Sequence, residues 1–183
     1  MKKAILILLT MLAALPAGSA EAETGPVNLL ISGGNDNNAF HVSLSADGRS
    51  YLILSTIALE VGGDICTHPE ELPNELSCRA TAIAGFEVNA AGGSDSVFFT
   101  SDVPVPATIR GGPGNDRLIG GGAADKVIGG PGDDVVTGRR GDDWILGGPG
   151  HDRLFGGPGN DQLSGGPGTD TLVGGPGRNE LVP

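Results

Sequence analysis

From Gly111 to Val182 the chain is eight contiguous copies of one nine-residue unit. A repeat at a fixed period imposes one local solution on every copy, so it constrains the fold more than any single propensity. The first copy is Gly111-Gly112-Pro113-Gly114-Asn115-Asp116-Arg117-Leu118-Ile119, and the others begin at Gly120, Gly129, Gly138, Gly147, Gly156, Gly165 and Gly174. Position 1 is always Gly, position 2 is Gly except at Arg139, and position 4 is Gly except at Ala123. Position 6 is Asp116, Asp125, Asp134, Asp143, Asp152, Asp161, Asp170 and finally Asn179. Position 8 is aliphatic throughout, from Leu118 to Leu181. With 23 Gly among these 72 residues, and Pro at position 3 in six of the eight copies, a helix is excluded. The glycines do not recur every third residue, which excludes a collagen helix. Each unit therefore reads as a six-residue turn and a three-residue strand. Such a strand is unstable alone, so the copies must stack, with position 8 in a continuous inner row and positions 7 and 9 facing outward.

Stacking brings one acidic side chain per turn into register with the next. Carboxylates a few ångströms apart repel and raise each other's pKa. A hard cation between them resolves the conflict, because calcium takes carboxylate and backbone carbonyl oxygens together, and glycine turns leave their carbonyls open. The alternative is a Gly/Asp turn whose carboxylates only cap backbone N–H groups.

The pattern G-G-x-G-x-D-x-U-x, with U aliphatic, resembles the repeat-in-toxin (RTX) calcium-binding nonapeptide over 72 residues. The resemblance implies an all-β, right-handed parallel β-roll (a β-helix or solenoid) with two units per turn and bound calcium (Ca2+). The implied metal ligands are Asp116, Asp134, Asp152 and Asp170 on one edge and Asp125, Asp143, Asp161 and Asn179 on the other. Each ion would lie between neighbours on one edge, giving at most six sites. The turn glycines that carry the motif include Gly111, Gly114, Gly129, Gly132, Gly147, Gly150, Gly156, Gly159, Gly165 and Gly168. Asn179 is a weaker, neutral ligand, while Ala123 and the pair Arg139-Arg140 depart from the turn pattern.

Residues 1–22 read as a secretory signal peptide: Lys2 and Lys3, an apolar run from Ala4 to Leu15, then small-residue cleavage patterns ending at Ala20 and Ala22. The run is too short to span a bilayer, so no membrane span is expected after its removal, and the protein is expected to be secreted to the extracellular space. Losing Lys2, Lys3 and Glu21 takes the net charge from −11 to −12. That argues against nucleic acid and anionic membranes as partners.

Residues 23–110 are expected to form a strand-rich β region that caps the solenoid of 111–183. Its expected strands are Val27–Ile31, Ala39–Leu44, Tyr51–Ser55, Ile57–Val61, Phe86–Asn89 and Val97–Thr100. Gly93-Ser94-Asp95-Ser96-Val97 places Gly, Asp and Val like positions 4, 6 and 8, and reads as a degenerate rung. A cap is needed because an open stack exposes its core. Cys66 and Cys78, the only cysteines, are expected to form a disulfide in an exported protein. The acidic stretch between them reads as a solvated insertion.

No catalytic centre is expected. His41, His68 and His151 lack metal-site spacing, no G-x-S-x-G elbow occurs, and aromatic platforms for a sugar are missing. The main reading is an exported, non-catalytic protein whose folding depends on calcium. An adhesive, matrix or subunit-interaction module, acting by self-association or on a cell-surface partner, is the alternative. A small secreted hydrolase ranks third.

Overall fold

The computed structural model describes residues 5–7, 27–56, 59–61, 66–67 and 74–183. Of the expected signal peptide only β1 (Ile5–Ile7) is described, parallel to β5 (Leu59–Val61); the rest, including both cleavage patterns, lies outside the described residues. The other early strands are β2 (Val27–Ser32), β3 (Ala39–Leu44), β4 (Ser50–Ser55), β6 (Cys66–Thr67), β7 (Glu75–Arg79), β8 (Ile83–Asn89), β9 (Ser96–Phe99) and β10 (Ala107–Arg110). Each nonapeptide then supplies one strand at positions 7 to 9, from β11 (Arg117–Ile119) through β12 (Lys126–Ile128), β13 (Val135–Thr137), β14 (Trp144–Leu146), β15 (Arg153–Phe155), β16 (Gln162–Ser164) and β17 (Thr171–Val173) to β18 (Glu180–Val182). The chain is all-β, a parallel β-solenoid, and among the described residues no helix is long and apolar enough to cross a membrane.

Two sheets form the walls. One runs β18-β16-β14-β12-β10-β8-β2, parallel throughout. The other runs β17-β15-β13-β11-β9-β3 in parallel and continues antiparallel through β4, β7 and β6. The same two sheets therefore extend from the last repeat back to Val27. Position 8 fills the space between them. Ile31, Val88, Ile109, Val127, Ile145 and Leu163 pair in register on one wall, and Phe40, Val97, Leu118, Val136 and Leu154 on the other. All are buried, each contributing roughly 1.5–3 kcal/mol relative to an exposed side chain. Only Leu172 and Leu181, on the last two strands, are less covered.

Outward-facing position 7 is as expected in Arg117, Lys126, Trp144 and Arg153, which are exposed. Position 9 is mixed. Phe155 and Val173 are exposed, whereas Ile119 is covered by its neighbours in the stack, lying between Phe98 and Thr137 of the adjacent strands.

Between β3 and β8 the described strands β4, β7 and β6 extend the second sheet beyond β3. Residues 68–73 of the stretch read as a solvated acidic insertion lie outside the described residues; its end contributes strand β7, which buries Leu76 and Cys78 because its side chains alternate toward the core. Tyr51 and Phe99 both stand edge-on to Phe86, with centroids 5.0 and 5.3 Å apart, so an aromatic cluster fills the wider end of the core. Cys66 and Cys78 are joined by a disulfide, 12 residues apart in sequence. Its reduction is expected to destabilise this end by roughly 3 kcal/mol through loop entropy. The measurement is the thermal midpoint with and without reductant in saturating calcium; an unchanged midpoint would remove the disulfide from the account.

Candidate metal centres

The turns converge on position 6. In each repeat turn the position-6 side chain sends Oδ1 back to the preceding rung of the same edge, where it accepts a backbone N–H. Asp116, Asp134 and Asp152 donate N–H to Asp134, Asp152 and Asp170 at 2.8, 2.8 and 2.9 Å. On the other edge Asp125, Asp143 and Asp161 donate to Asp143, Asp161 and Asn179 at 2.8, 3.0 and 2.8 Å. The two edges thus group the position-6 residues as units n and n+2.

The second oxygen is different. Oδ2 of Asp116, Asp134, Asp143, Asp152 and Asp161 is buried without a hydrogen-bond partner. A buried, donor-less carboxylate oxygen is costly, and five in periodic register make a pattern that asks for positive charge. The space beside each one is kept open by glycine. A Cβ on Gly111 would press on Asp116 Oδ2 and sit 2.8 Å from the Gly129 carbonyl oxygen, and position 1 repeats this at Gly129, Gly138, Gly147 and Gly156. Carboxylate and carbonyl oxygens together are the donor set of a hard cation. Among the described residues no cluster of three or more His, Cys, Asp or Glu occurs, so a cation here would draw on backbone carbonyls as well as on Asp.

The electrostatics agree. Burial pushes Asp134 and Asp143 up to about 7, with neighbouring carboxylates above and below adding to the effect and a backbone N–H opposing it. Burial also lifts Asp125 to about 6 and raises Asp116, Asp152 and Asp161. These pKa values stand above the ordinary 3.8, so the folded, metal-free state favours protonated carboxyls. Their stabilising contribution is complete below about pH 4 and is lost as pH rises through about 6–7. Calcium needs the ionised form, so the two requirements oppose each other. In chelator, far-UV circular dichroism is expected to show more β structure at pH 4.5 than at pH 8, and calcium should reverse the order; equal spectra in chelator at both pH values would contradict this.

The departures in sequence have structural counterparts. In the turn with Ala123, Gly121 N–H donates to Asp125 Oδ2 at 2.6 Å, so this carboxylate alone among the buried repeat aspartates has a protein donor on each oxygen. Asn179 directs its NH2 to the Gly175 carbonyl at 2.9 Å. Asp170 is only partly buried. Arg139 adopts φ +83, a conformation glycine takes at position 2 elsewhere. Its guanidinium lies 4.7 Å from the Phe98 ring centroid and bonds to the Phe99 carbonyl, tying the repeats to the N-terminal turns.

Position 5 varies from copy to copy in the sequence. The structure gives it a ladder of its own on the turn surface. Asp133 N–H donates to Asn115 Oδ1, His151 N–H to Asp133 Oδ1, and Thr169 N–H to His151 Nδ1. Asn160 and Arg178 continue the pattern on the other edge. The prevalence of Asn, Asp and His at position 5 was the available signal, since each offers an acceptor on a short side chain.

Residues 108–136, 128–163 and 146–181 match the family model described as the RTX calcium-binding nonapeptide repeat, four copies. No curated protein and no solved structure matches the chain.

Proposed function

Because residues 108–181 are RTX calcium-binding nonapeptide repeats, we propose that the protein is an exported calcium-binding β-roll whose repeat tract folds around the metal and which carries no catalytic centre. The observation behind this is the periodic row of buried Oδ2 atoms without donors. Asp116, Asp134, Asp143, Asp152 and Asp161 would hold calcium with the carbonyl oxygens of the adjoining glycine turns. Asp170 closes one edge. Asp125 contributes more weakly, because Gly121 already satisfies its Oδ2. Asn179 brings an acceptor that Asp161 N–H uses and an NH2 that Gly175 uses, so the interval it shares with Asp161 is the weakest. Calcium supplies charge neutralisation here; the chain supplies the oxygens and the dry, narrow space. The leader-like residues 1–22 and the Cys66–Cys78 disulfide support export to an oxidising, calcium-rich compartment.

The test is far-UV circular dichroism of the exported chain during calcium titration, with magnesium as competitor. A cooperative gain of β signal, reversed by chelator and not produced by magnesium, is expected. A β-rich spectrum indifferent to both ions would sink the reading. An interaction role is the second reading, supported by Phe155 and Val173, which are cross-strand neighbours and both exposed. It expects a mass in calcium that rises with concentration in sedimentation, and a strict monomer counts against it.

A further inference from the structure

Phe155 and Val173 end a longer row on the outer face of the sheet that runs from β17 to β6. In direct register across seven strands the row is Leu54, His41, Phe98, Ile119, Thr137, Phe155 and Val173. At about 4.8 Å between strands it is about 29 Å long. Leu54, Phe155 and Val173 are half of the large apolar residues exposed among the described residues, so outward apolar surface is gathered on this wall rather than scattered. At the Leu54 end the row borders a cavity of about 360 Å³, whose lining includes His41, Ser55, Thr56, Ser96 and Phe98.

The charge around this row is the reverse of the charge of the chain. The net charge is −11, yet β3, β9, β11, β13, β15 and β17 contain no Asp or Glu. Asp95, Asp116, Asp134 and Asp152, which lead into four of these strands, are buried in the turns. Arg117 and Arg153 stand at position 7 on the same outer face as Ile119 and Phe155, and both are exposed. On the other side of the row, the turn after β13 carries Arg139, whose guanidinium lies 4.7 Å from the Phe98 ring centroid, and the exposed Arg140. The row is thus apolar along its middle and cationic on both flanks.

These flanks decide what can cover the row. A second copy of the chain would pack face to face about a twofold axis. An axis along the strands sets the Arg117 and Arg153 side on itself, and an axis along the row sets it on the Arg139 and Arg140 side. Both bring guanidiniums against guanidiniums. An anionic membrane meets the cationic flanks, but the apolar row is one side chain wide and the rest of an acidic chain is repelled by the headgroups. A polypeptide segment must present apolar side chains downward with carboxylates on both sides of them. An extended strand sends alternate side chains to opposite faces and cannot do this. An amphipathic helix can, with apolar residues at i, i+3, i+4 and i+7. Its pitch of about 5.4 Å lies near the strand spacing, and about 19 helical residues cover the row.

We infer that this outer face is a docking surface for an acidic amphipathic helix of a partner protein. Leu54, Phe98, Phe155 and Val173 meet its apolar stripe, and Arg117, Arg153 and Arg140 meet its carboxylates through charge-assisted hydrogen bonds. Such a partner is a particular case of the interaction role and stands only if that role does.

The probe is a fluorescently labelled synthetic helix of about 19 residues, with Leu on one face and Glu on both flanks. Its anisotropy is followed as the full exported chain is added in saturating calcium. Wild type is expected to bind it, more weakly as salt is raised, and not to bind the same peptide with Lys in place of Glu. Arg117→Glu combined with Arg153→Glu is expected to weaken binding by about tenfold or more. Phe155→Ser should weaken it too, while Lys126→Glu on the opposite wall leaves it unchanged. All four residues are exposed, so the variants are expected to keep the wild-type circular dichroism in calcium. Equal affinity in the double arginine variant and in Lys126→Glu overturns the docking face. Binding of wild type to phosphatidylglycerol vesicles but not to the acidic helix overturns the protein partner. Wild type that ignores the acidic helix overturns the inference, and sedimentation of the same sample then separates the two failures. A mass that rises with concentration keeps the interaction role with another partner, and a strict monomer removes both.

Discussion

Chelation of calcium is expected to erase most of the β signal of residues 111–182 while the turns from Val27 to Phe99 keep their protection from hydrogen exchange. The repeat tract has little to hold it without metal. Its glycines lose more conformational freedom on ordering than any other residue, its strands are three residues long, and each turn adds one aliphatic side chain to the core. Against this, five of the eight repeats bury a carboxylate oxygen without a donor. Bound metal reverses the balance. At a free calcium tenfold above Kd, each site adds about 1.4 kcal/mol by mass action. Six such sites add about 8 kcal/mol, comparable with the whole stability of a domain. The N-terminal turns have more to hold them. They hold the aromatic cluster of Tyr51, Phe86 and Phe99, the disulfide, and the buried Asn38, whose NH2 bonds to carbonyl oxygens of two turns. Hydrogen exchange followed by mass spectrometry, with and without chelator, separates the two regions. Uniform loss of protection along the chain would show that the N-terminal end has no stability of its own.

Gly132→Ala is expected to cost about 3 kcal/mol and to raise the calcium concentration needed for folding. Two penalties meet at this residue. Its φ of +142 lies where L side chains are strained, and an added Cβ would sit 2.6 Å from the carbonyl carbon of Gly114, a backbone atom of the adjacent turn. Strain costs roughly 1–3 kcal/mol, and overpacking against a part that cannot move independently costs about as much. The chain contains a natural comparison. Where Ala123 occupies position 4, positive φ is absent there and the turn is rebuilt, with Gly121 N–H drawn onto Asp125. Gly34→Ala is the control, because a Cβ there meets nothing within 4 Å; its effect should stay within about 0.5 kcal/mol. Thermal midpoints at saturating calcium and calcium titration midpoints are the measurements. Equal behaviour of the two variants would mean that the turns do not pack as tightly as described.

Much of this was legible because the information is local and repeated. The period, the alternation of turn and strand and the inward position 8 each recur eight times, and the acidic position 6 seven times, so local chemistry was read from many copies at once. Even the imperfect rung at Asp95 was readable, since Gly93, Asp95 and Val97 keep the spacing. The earlier rung at Gly33-Gly34-Asn35-Asp36-Asn37-Asn38 was not read as one. Its position 4 is Asp36 rather than Gly and its position 6 is amide rather than acid, so the motif fails at the places that define it.

The amino-acid sequence alone determined that this chain must stack, which side chains line the core and where acidic groups gather, because these follow from periodicity and from the conformational demands of glycine. Only the tertiary structure decided which carboxylate oxygen lacks a donor, that Asp125 has one, and that the end of the acidic stretch lengthens a sheet. It also decided that the Asn38 amide is buried among the oxygens of Gly34, Asp36, Ala90 and Asp95. Most of these depend on a partner 18 to 57 residues away or on an adjacent strand, and the Gly121 donor of Asp125, four residues away, depends on how its turn is built; both are set by register and turn geometry that no single stretch of sequence encodes.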